Sequence, residues 1–505
     1  MMEEEALRYK SDGKVGKERI AVDGGFCGCS FGNVTTAKGY CFLGTARSAI
    51  VMSNIFLGTA LIFLASAEVG CVEVVDGKAK ATDTCNQRVF GLFQPAVLIT
   101  NIAAISGFVS ALLMPVIGAV IDFTPHRWST GVVSAFLLTV IQLIQITTNT
   151  SNWFTMAILQ AVMGPLYHVQ VLAAFSYLSD MSRVVDDQTW TRFTTSFTMV
   201  QFSAETLLLV VVVGISLGLN MDDVETAHVA QAVSGSFIVV TFTLGWCYMP
   251  KVEARNVLED GKSLVWEGFA QNWRTWKQIN LHYKRSLKWF LLGIMFSEPA
   301  TNAFTVVSVV FLNDQLKMAG NEIGLMLLMC LIAMIPGSLV FYCVAHSTNP
   351  NTSLCFSMIM LFIIAVGGAF TLTPENAFPW AYIWGASIGL MLGCYYPSAK
   401  LFLSLVVPHG QEAEVTGFYV YSSQLLVWLP PLVFSLLVEA HVDQKFGVLA
   451  VGLFGLVSIF FFQMAAPFPE LLDEIHNKDK LESWKSLKAQ SPKAASFDGG
   501  KGTMA

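Results

Sequence analysis

The chain alternates between apolar blocks of roughly 20 residues and short polar joints. A helix rises about 1.5 Å per residue, so blocks of that length match a hydrocarbon core about 30 Å thick. The blocks predict helical spans near 46–67, 94–121, 129–147, 153–178, 192–217, 228–249, 287–312, 322–344, 354–372, 378–404, 415–438 and 446–466. Several joints are only a few residues long, which makes the helices on either side antiparallel. The longest internal connection, Pro250 to Ser286, separates six spans from six. Five segments follow: an arm (1–45), a first six-helix half (46–249), a linker (250–286), a second half (287–466) and a tail (467–505). The tail is charged, ends in Ser, Gly and Lys, and has the composition of a disordered segment.

Composition supports the same picture. Hydrophobic residues make up 54% of the 505 and charged residues only 13%, against about 25% charged in soluble domains. The net charge of −6 is mild, and no basic patch with interleaved aromatics suggests nucleic acid as a partner. The first apolar block begins near Ala46, behind Glu3, Glu4, Glu5 and Asp12. That is too late and too acidic for a cleaved secretory signal, so the first span is expected to serve as the targeting signal. With both termini inside, the outside loops hold only Lys78, Lys80, Arg88, Lys317 and Lys445 of the 30 basic residues. The asymmetry fits the positive-inside rule and an even number of spans. An all-α membrane protein of twelve transmembrane helices in two six-helix halves resembles the major facilitator fold, whose halves rock about a midplane site.

Within the linker, Trp266, Phe269, Trp273, Trp276, Ile279 and Tyr283 recur at three- and four-residue steps beside Lys262, Arg274 and Lys277. The spacing predicts an amphipathic helix in the inner membrane interface; a calmodulin-type target helix has the same periodicity. Cys71 and Cys85 share the first outside loop, where an oxidising compartment could join them, with two free thiols as the alternative. Cys27 and Cys29 have no second Cys/His pair near them, so no metal is expected, and no cofactor either. No HExxH or Walker loop is present, which argues against an enzyme.

Two sets of residues carry candidate chemistry. The joint between spans 2 and 3 runs Gly118-Ala-Val-Ile-Asp122-Phe-Thr-Pro-His-Arg127. It resembles the G-x-x-x-D-x-x-x-x-R signature of major facilitators, which implies that Gly118 admits a neighbouring helix and that Asp122 and Arg127 latch an inner gate. The other set is the charges inside the spans, each costly in hydrocarbon. Glu205 falls mid-span in span 5, Glu298 mid-span in span 7, and Lys400 in the inner half of span 10. His168 lies mid-span in span 4, while Arg47, at the start of span 1, is expected to snorkel to the interface. Glu298 precedes Pro299, and a proline removes a helix hydrogen bond. A helix break beside a carboxylate, with the Asn302 amide one turn on, is a way transporters build midplane sites. In a major facilitator layout spans 1, 4, 7 and 10 line the cavity, so Glu298, Lys400, His168 and Asn54 are expected to face one volume.

A narrower resemblance rests on Gly393-Cys-Tyr-Tyr-Pro-Ser-Ala-Lys400, Pro408-His-Gly410, Glu412-Ala-Glu414, Gly417-Phe-Tyr419 and Leu429-Pro430-Pro431. These resemble the autophagy-related vacuole effluxer family, as does Tyr177-Leu-Ser-Asp180 after span 4. That family carries Asp-Gly where this chain has Glu298-Pro299, and Arg where it has Lys400. The resemblance implies a transporter exporting amino acids across a vacuolar or lysosomal membrane, with a small-molecule substrate and the lipid bilayer as partners and the chain acting as a monomer. Proton coupling is the expectation that the buried carboxylates add. A transporter of sugars or organic anions, and a non-transporting sensor with the same fold, remain alternatives.

Overall fold

The computed structural model describes residues 35–75, 78–81, 87–181, 187–258, 261–284, 286–406, 412–467 and 470. Among them, eleven helices are long and apolar enough to cross a membrane. The helix Ala377–Val406 stands between two of these as a further span and completes twelve. Spans 1 to 6 are Thr35–Glu68, Leu98–Phe123, Arg127–Ile144, Trp153–Met181, Asp187–Leu219 and Asp223–Tyr248. Spans 7 to 10 are Leu287–Val310, Gly320–Ser347, Pro350–Thr371 and Ala377–Val406. Span 11 is two pieces, Glu412–Leu425 and Leu429–Glu439, and span 12 is Gln444–Met464. The linker forms a helix over Leu264–His282, and the first outside loop carries an antiparallel hairpin, Val72–Val75 with Lys78–Ala81.

The two halves repeat one packing scheme. Span 1 packs on span 6 as span 7 does on span 12, span 2 on span 4 as 8 on 10, and span 3 on span 4 as 9 on 10. Between the halves, span 5 meets span 8 and span 2 meets span 11. Small residues make the tightest of these contacts. Gly385, Gly389 and Gly393 recur every four residues on one face of span 10. A Cβ added at Gly389 would stand 2.0 Å from the Cys330 carbonyl oxygen of span 8, and one at Gly393 2.2 Å from that of Met334. Close backbone approach of this kind stabilises helix pairs in lipid, where burial gives little hydrophobic advantage.

Two expectations from the sequence are corrected. Span 1 begins at Thr35, not near Ala46. Its early residues are sealed by other helices and not by lipid: a Cβ on Gly39 would meet the Gly245 carbonyl oxygen at 2.8 Å, and one on Gly44 the Phe197 ring at 2.3 Å. Hydropathy is blind to that form of burial. Pro299 does not break span 7, whose helix runs unbroken from Leu287 to Val310. A proline costs the helix a hydrogen bond, which a packed membrane helix can tolerate when side chains satisfy the backbone. The carbonyl freed by Pro299 is that of Met295, four residues earlier; the Thr301 hydroxyl donates instead to the Ser297 and Glu298 carbonyls, at 3.1 and 2.9 Å. The break lies in span 11, where Pro430 and Pro431 occupy the first turn of a new helix after Trp428, a position that needs no backbone N–H.

Cys71 is disulfide-bonded. Its expected partner Cys85 lies outside the described residues, as do Cys27, Cys29, Pro408, Gly410 and the tail beyond residue 470.

Candidate functional site

Two groups of polar side chains lie within the bundle, one central and one at the end that carries the linker, here called inner. The central group is built around Glu298, half-buried on span 7. The Tyr419 hydroxyl of span 11 donates to its Oε1 at 3.3 Å. Beside it the Ser297 and Tyr395 hydroxyls, both buried, share a hydrogen bond of 2.8 Å. Lys400 of span 10 lies close enough for its charge to act on Glu298, yet the two form no ion pair. Instead Lys400 Nζ donates to Thr198 Oγ1 of span 5 at 3.1 Å, a contact between the halves. The Lys400 side chain is accessible by surface area although protein atoms surround it.

Glu205, half-buried on span 5, makes no hydrogen bond to protein; its charge acts on Tyr167, Cys330 and Tyr396. Tyr396 of span 10 lies within electrostatic reach of both Glu205 and Glu298. His168 is not drawn to Glu298. Ser110 of span 2 holds its Nδ1 at 3.0 Å, and the Tyr167 ring stands edge-on to it at 5.6 Å. Asn54 of span 1 is half-buried with its Oδ1 buried and unpartnered. Asn302 is half-buried, and no hydrogen bond joins its side chain to another among the described residues.

Arg47 corrects the expectation of snorkelling. Because span 1 starts at Thr35, Arg47 lies about 18 Å inside its helix by the helical rise. It is only 4% exposed. Sequence reasoning placed it at the interface because the polar-looking turns before it hid the true start of the helix.

The inner group differs from a direct Asp122–Arg127 latch. Asp180 stands just past the apolar stretch of span 4, which ends at Leu178. Arg127, 1% exposed, pairs with it at 2.6 Å, and the guanidinium stands 5.3 Å from the Tyr177 ring centre. Asp122 pairs at 3.6 Å with Arg255 of the linker, which also reaches Asp180 at 2.8 Å. Four charges thus form a chain, Asp122–Arg255–Asp180–Arg127. Burial pushes the Asp180 carboxyl up, but the Arg255 and Arg127 charges outweigh it and hold it below its ordinary value. Arg255 also donates to the Ser176 carbonyl at 2.6 Å, and Gln271 of the linker helix donates to Asp122 at 3.2 Å. Arg255 was missed because nothing local distinguishes one arginine in a charged linker.

Gly118 is likewise corrected as a point of helix contact: a Cβ there would meet nothing within 4 Å. It lines a recess at the inner end with Asp122, Phe175 and Arg255 on one side and Thr416, Phe418 and Tyr421 of span 11 on the other. The close approach lies one turn earlier, where Gly268 of the linker helix sits on the Pro115 carbonyl oxygen, 2.2 Å from an added Cβ. Trp276 of the same helix stacks on Phe418 at 6.3 Å, so the linker touches both halves. Its aromatic stripe divides: Ile279 and Tyr283 are buried, while Trp266 and Trp273 stay largely exposed.

At the opposite, outer end the halves are tied directly. Glu439 of span 11 pairs with Arg88 at 3.0 Å and accepts from the Gln94 backbone at 2.6 Å. The Thr100 and Ser435 hydroxyls meet at 2.8 Å, and Asp223 accepts from the Gly320 backbone at 2.8 Å.

Several transporters of known structure share this fold. A point mutant of the nucleoside transporter NupG matches with a TM-score of 0.56 at 12% identity, over 85% of this chain and 99% of that one. The xylose transporter XylE from E. coli, in an inward open conformation, matches with a TM-score of 0.56 at 11% identity, over 88% and 98%. Among curated protein sequences none matches. The family model described as "Vacuole effluxer Atg22 like" matches residues 33–466. That stretch takes in every helix described above. The chain is therefore a multi-pass membrane transporter of the major facilitator type, not an enzyme, and belongs to the Atg22-like vacuole effluxer family.

Proposed function

We propose that the protein moves amino acids across a vacuolar membrane by alternating access, with Glu298 coupling the movement to protons. The observation that carries this reading is the pair Glu298 and Lys400. They stand within electrostatic reach of one another on spans 7 and 10, and neither neutralises the other in an ion pair. An α-amino acid offers the complement, an ammonium for Glu298 and a carboxylate for Lys400. The family description, a vacuole effluxer, supports the membrane and the direction of export. A carboxylate held by a tyrosine hydroxyl and open to a changing environment can take up and release a proton as the halves rock.

The test is uptake into proteoliposomes for a panel of labelled amino acids, sugars and organic anions, with and without a pH gradient. Amino-acid accumulation that follows the gradient is the expected result. Flux of only another solute class would replace the cargo, gradient-independent flux would remove the proton, and binding without flux would make the protein a sensor.

A further inference from the structure

Arg47 carries a charge that no carboxylate answers. Its side chain is 4% exposed, and its Nε is buried without a hydrogen-bond partner. No carboxylate lies within ion-pair distance among the described residues. What its charge does reach is another cation, Lys400, and the Tyr167 side chain. Tyr40 supports it, with its ring centre 5.7 Å away and its hydroxyl within hydrogen-bonding reach, but a neutral phenol does not cancel the charge. A charge taken out of water is costly unless it is paired, and a second cation nearby adds to the cost. A protein that folds with Arg47 buried and its Nε unpaired, within reach of a second cation, leaves a place for an anion.

We infer that Arg47, with Lys400, forms the anion-binding end of the central site, and that Arg47 is the residue making an anionic group obligatory in the cargo. This deepens the amino-acid reading and rests on it for the second charge of the cargo, but not for the first. A guanidinium presents a planar fork that grips a carboxylate at two points, whereas the ammonium of Lys400 offers only a point charge. Glu298 and Tyr419 then define the opposite end. The ligand class is a small molecule with one carboxylate or comparable anion, and Arg47 discriminates it from the matching neutral amide.

The experiment measures binding to the full-length protein in detergent, by calorimetry and by shift in melting temperature, for wild type, Arg47→Met and Arg47→Lys. The probes are a neutral amino acid, its carboxamide, its decarboxylated amine and the same carboxylate without the amine. Wild type should prefer the acid over the carboxamide by roughly tenfold or more, the size expected for a charged hydrogen-bonded pair. Arg47→Met should lose that preference while its ligand-free melting temperature stays equal or rises, because an unanswered buried charge has gone. Arg47→Lys should recover part of the preference. If the amine-free carboxylate binds as tightly as the amino acid and Arg47→Met abolishes both, the anion end stands and the amino-acid reading falls. If Arg47→Met keeps the preference, or melts lower with binding intact, Arg47 is structural and the inference is overturned. Wild type binding the acid and carboxamide equally, or none of the probes, overturns it as well.

Discussion

Glu298 has two neighbours of different kinds: a tyrosine hydroxyl at 3.3 Å and a lysine charge further off. The first can donate to the carboxylate, and the second favours its charged form without fixing it in a pair. Glu298→Gln keeps the size and an acceptor oxygen for Tyr419 but cannot titrate. The variant should fold, retain exchange of cargo, and lose accumulation driven by a pH gradient, read as uptake against pH with melting curves alongside. An unchanged pH profile with a lowered melting temperature would assign Glu298 to helix packing. Glu298 and Lys400 were legible in sequence because a charge in an apolar block stands out. Tyr396 and Tyr419 were not legible as site residues, since an aromatic in a span is ordinary until its neighbours are known. Arg47 was visible but misplaced, because its position depends on where span 1 begins.

Among the elements, span 10 shows how small residues set helix separation. Gly389 faces the backbone of span 8, where an added Cβ would lie 2.0 Å from a carbonyl oxygen. Gly367 on span 9 faces open space. Gly389→Leu should therefore destabilise the protein by about 1–3 kcal/mol or more, through forced separation of spans 8 and 10. Gly367→Leu should be neutral or slightly stabilising, since leucine is the better helix former. Melting temperatures of the two variants in one detergent decide it; equal losses would mean that the Gly389 contact does not bear on stability. The four-residue spacing of Gly385, Gly389 and Gly393 was readable in the sequence, but the partner helix was not. The two prolines of span 11 were equally visible, and their effect follows from their place in the first turn of a helix. Pro299 differs in that span 7 runs on through it as one helix.

The whole molecule is held differently at its two ends. The outer ends of spans 2 and 11 are joined through Glu439, Arg88 and Gln94. At the inner end spans 2 and 4 meet the first piece of span 11 beside a recess that they line together with the linker helix. The chain Asp122–Arg255–Asp180–Arg127 fastens the linker to the first half. Arg255→Ala and Asp122→Asn should change the balance between inward- and outward-facing states and slow turnover. Neither residue is placed in the central site, so cargo affinity should move little. Labelling of a cysteine placed at Thr416, compared with binding in detergent, checks this; collapse of affinity in a folded variant would remove these residues from gating. The pH response of the cluster has a definite sign. Because the folded Asp180 carboxyl lies below its ordinary value, its stabilising contribution is complete above about pH 3.9 and is lost as pH falls through the folded value. Labelling at Thr416 should accordingly not respond to pH between neutrality and about pH 4 on account of Asp180. A change attributable to Asp180, absent in Asp180→Asn, in the range from about pH 5 to pH 7 would contradict the ion-pair assignment.

Twelve spans, their six-and-six division and the charges within the membrane can all be read along the chain. Each follows from the cost of placing polar groups in hydrocarbon, which any window of residues registers. Asp122 and Arg127 were marked in the same way, because their spacing within one joint is local. Which charges answer one another was settled only by the packing of the helices. Arg127 meets Asp180, Asp122 meets Arg255, and Arg47 meets no carboxylate among the described residues, although every one of these side chains was plain in the chain. Ion pairing depends on distances of a few ångströms between residues tens or hundreds of positions apart, and hydropathy carries no information about them. The start of span 1 was settled likewise, because its first turns are buried by glycine contacts with neighbouring helices and not by lipid.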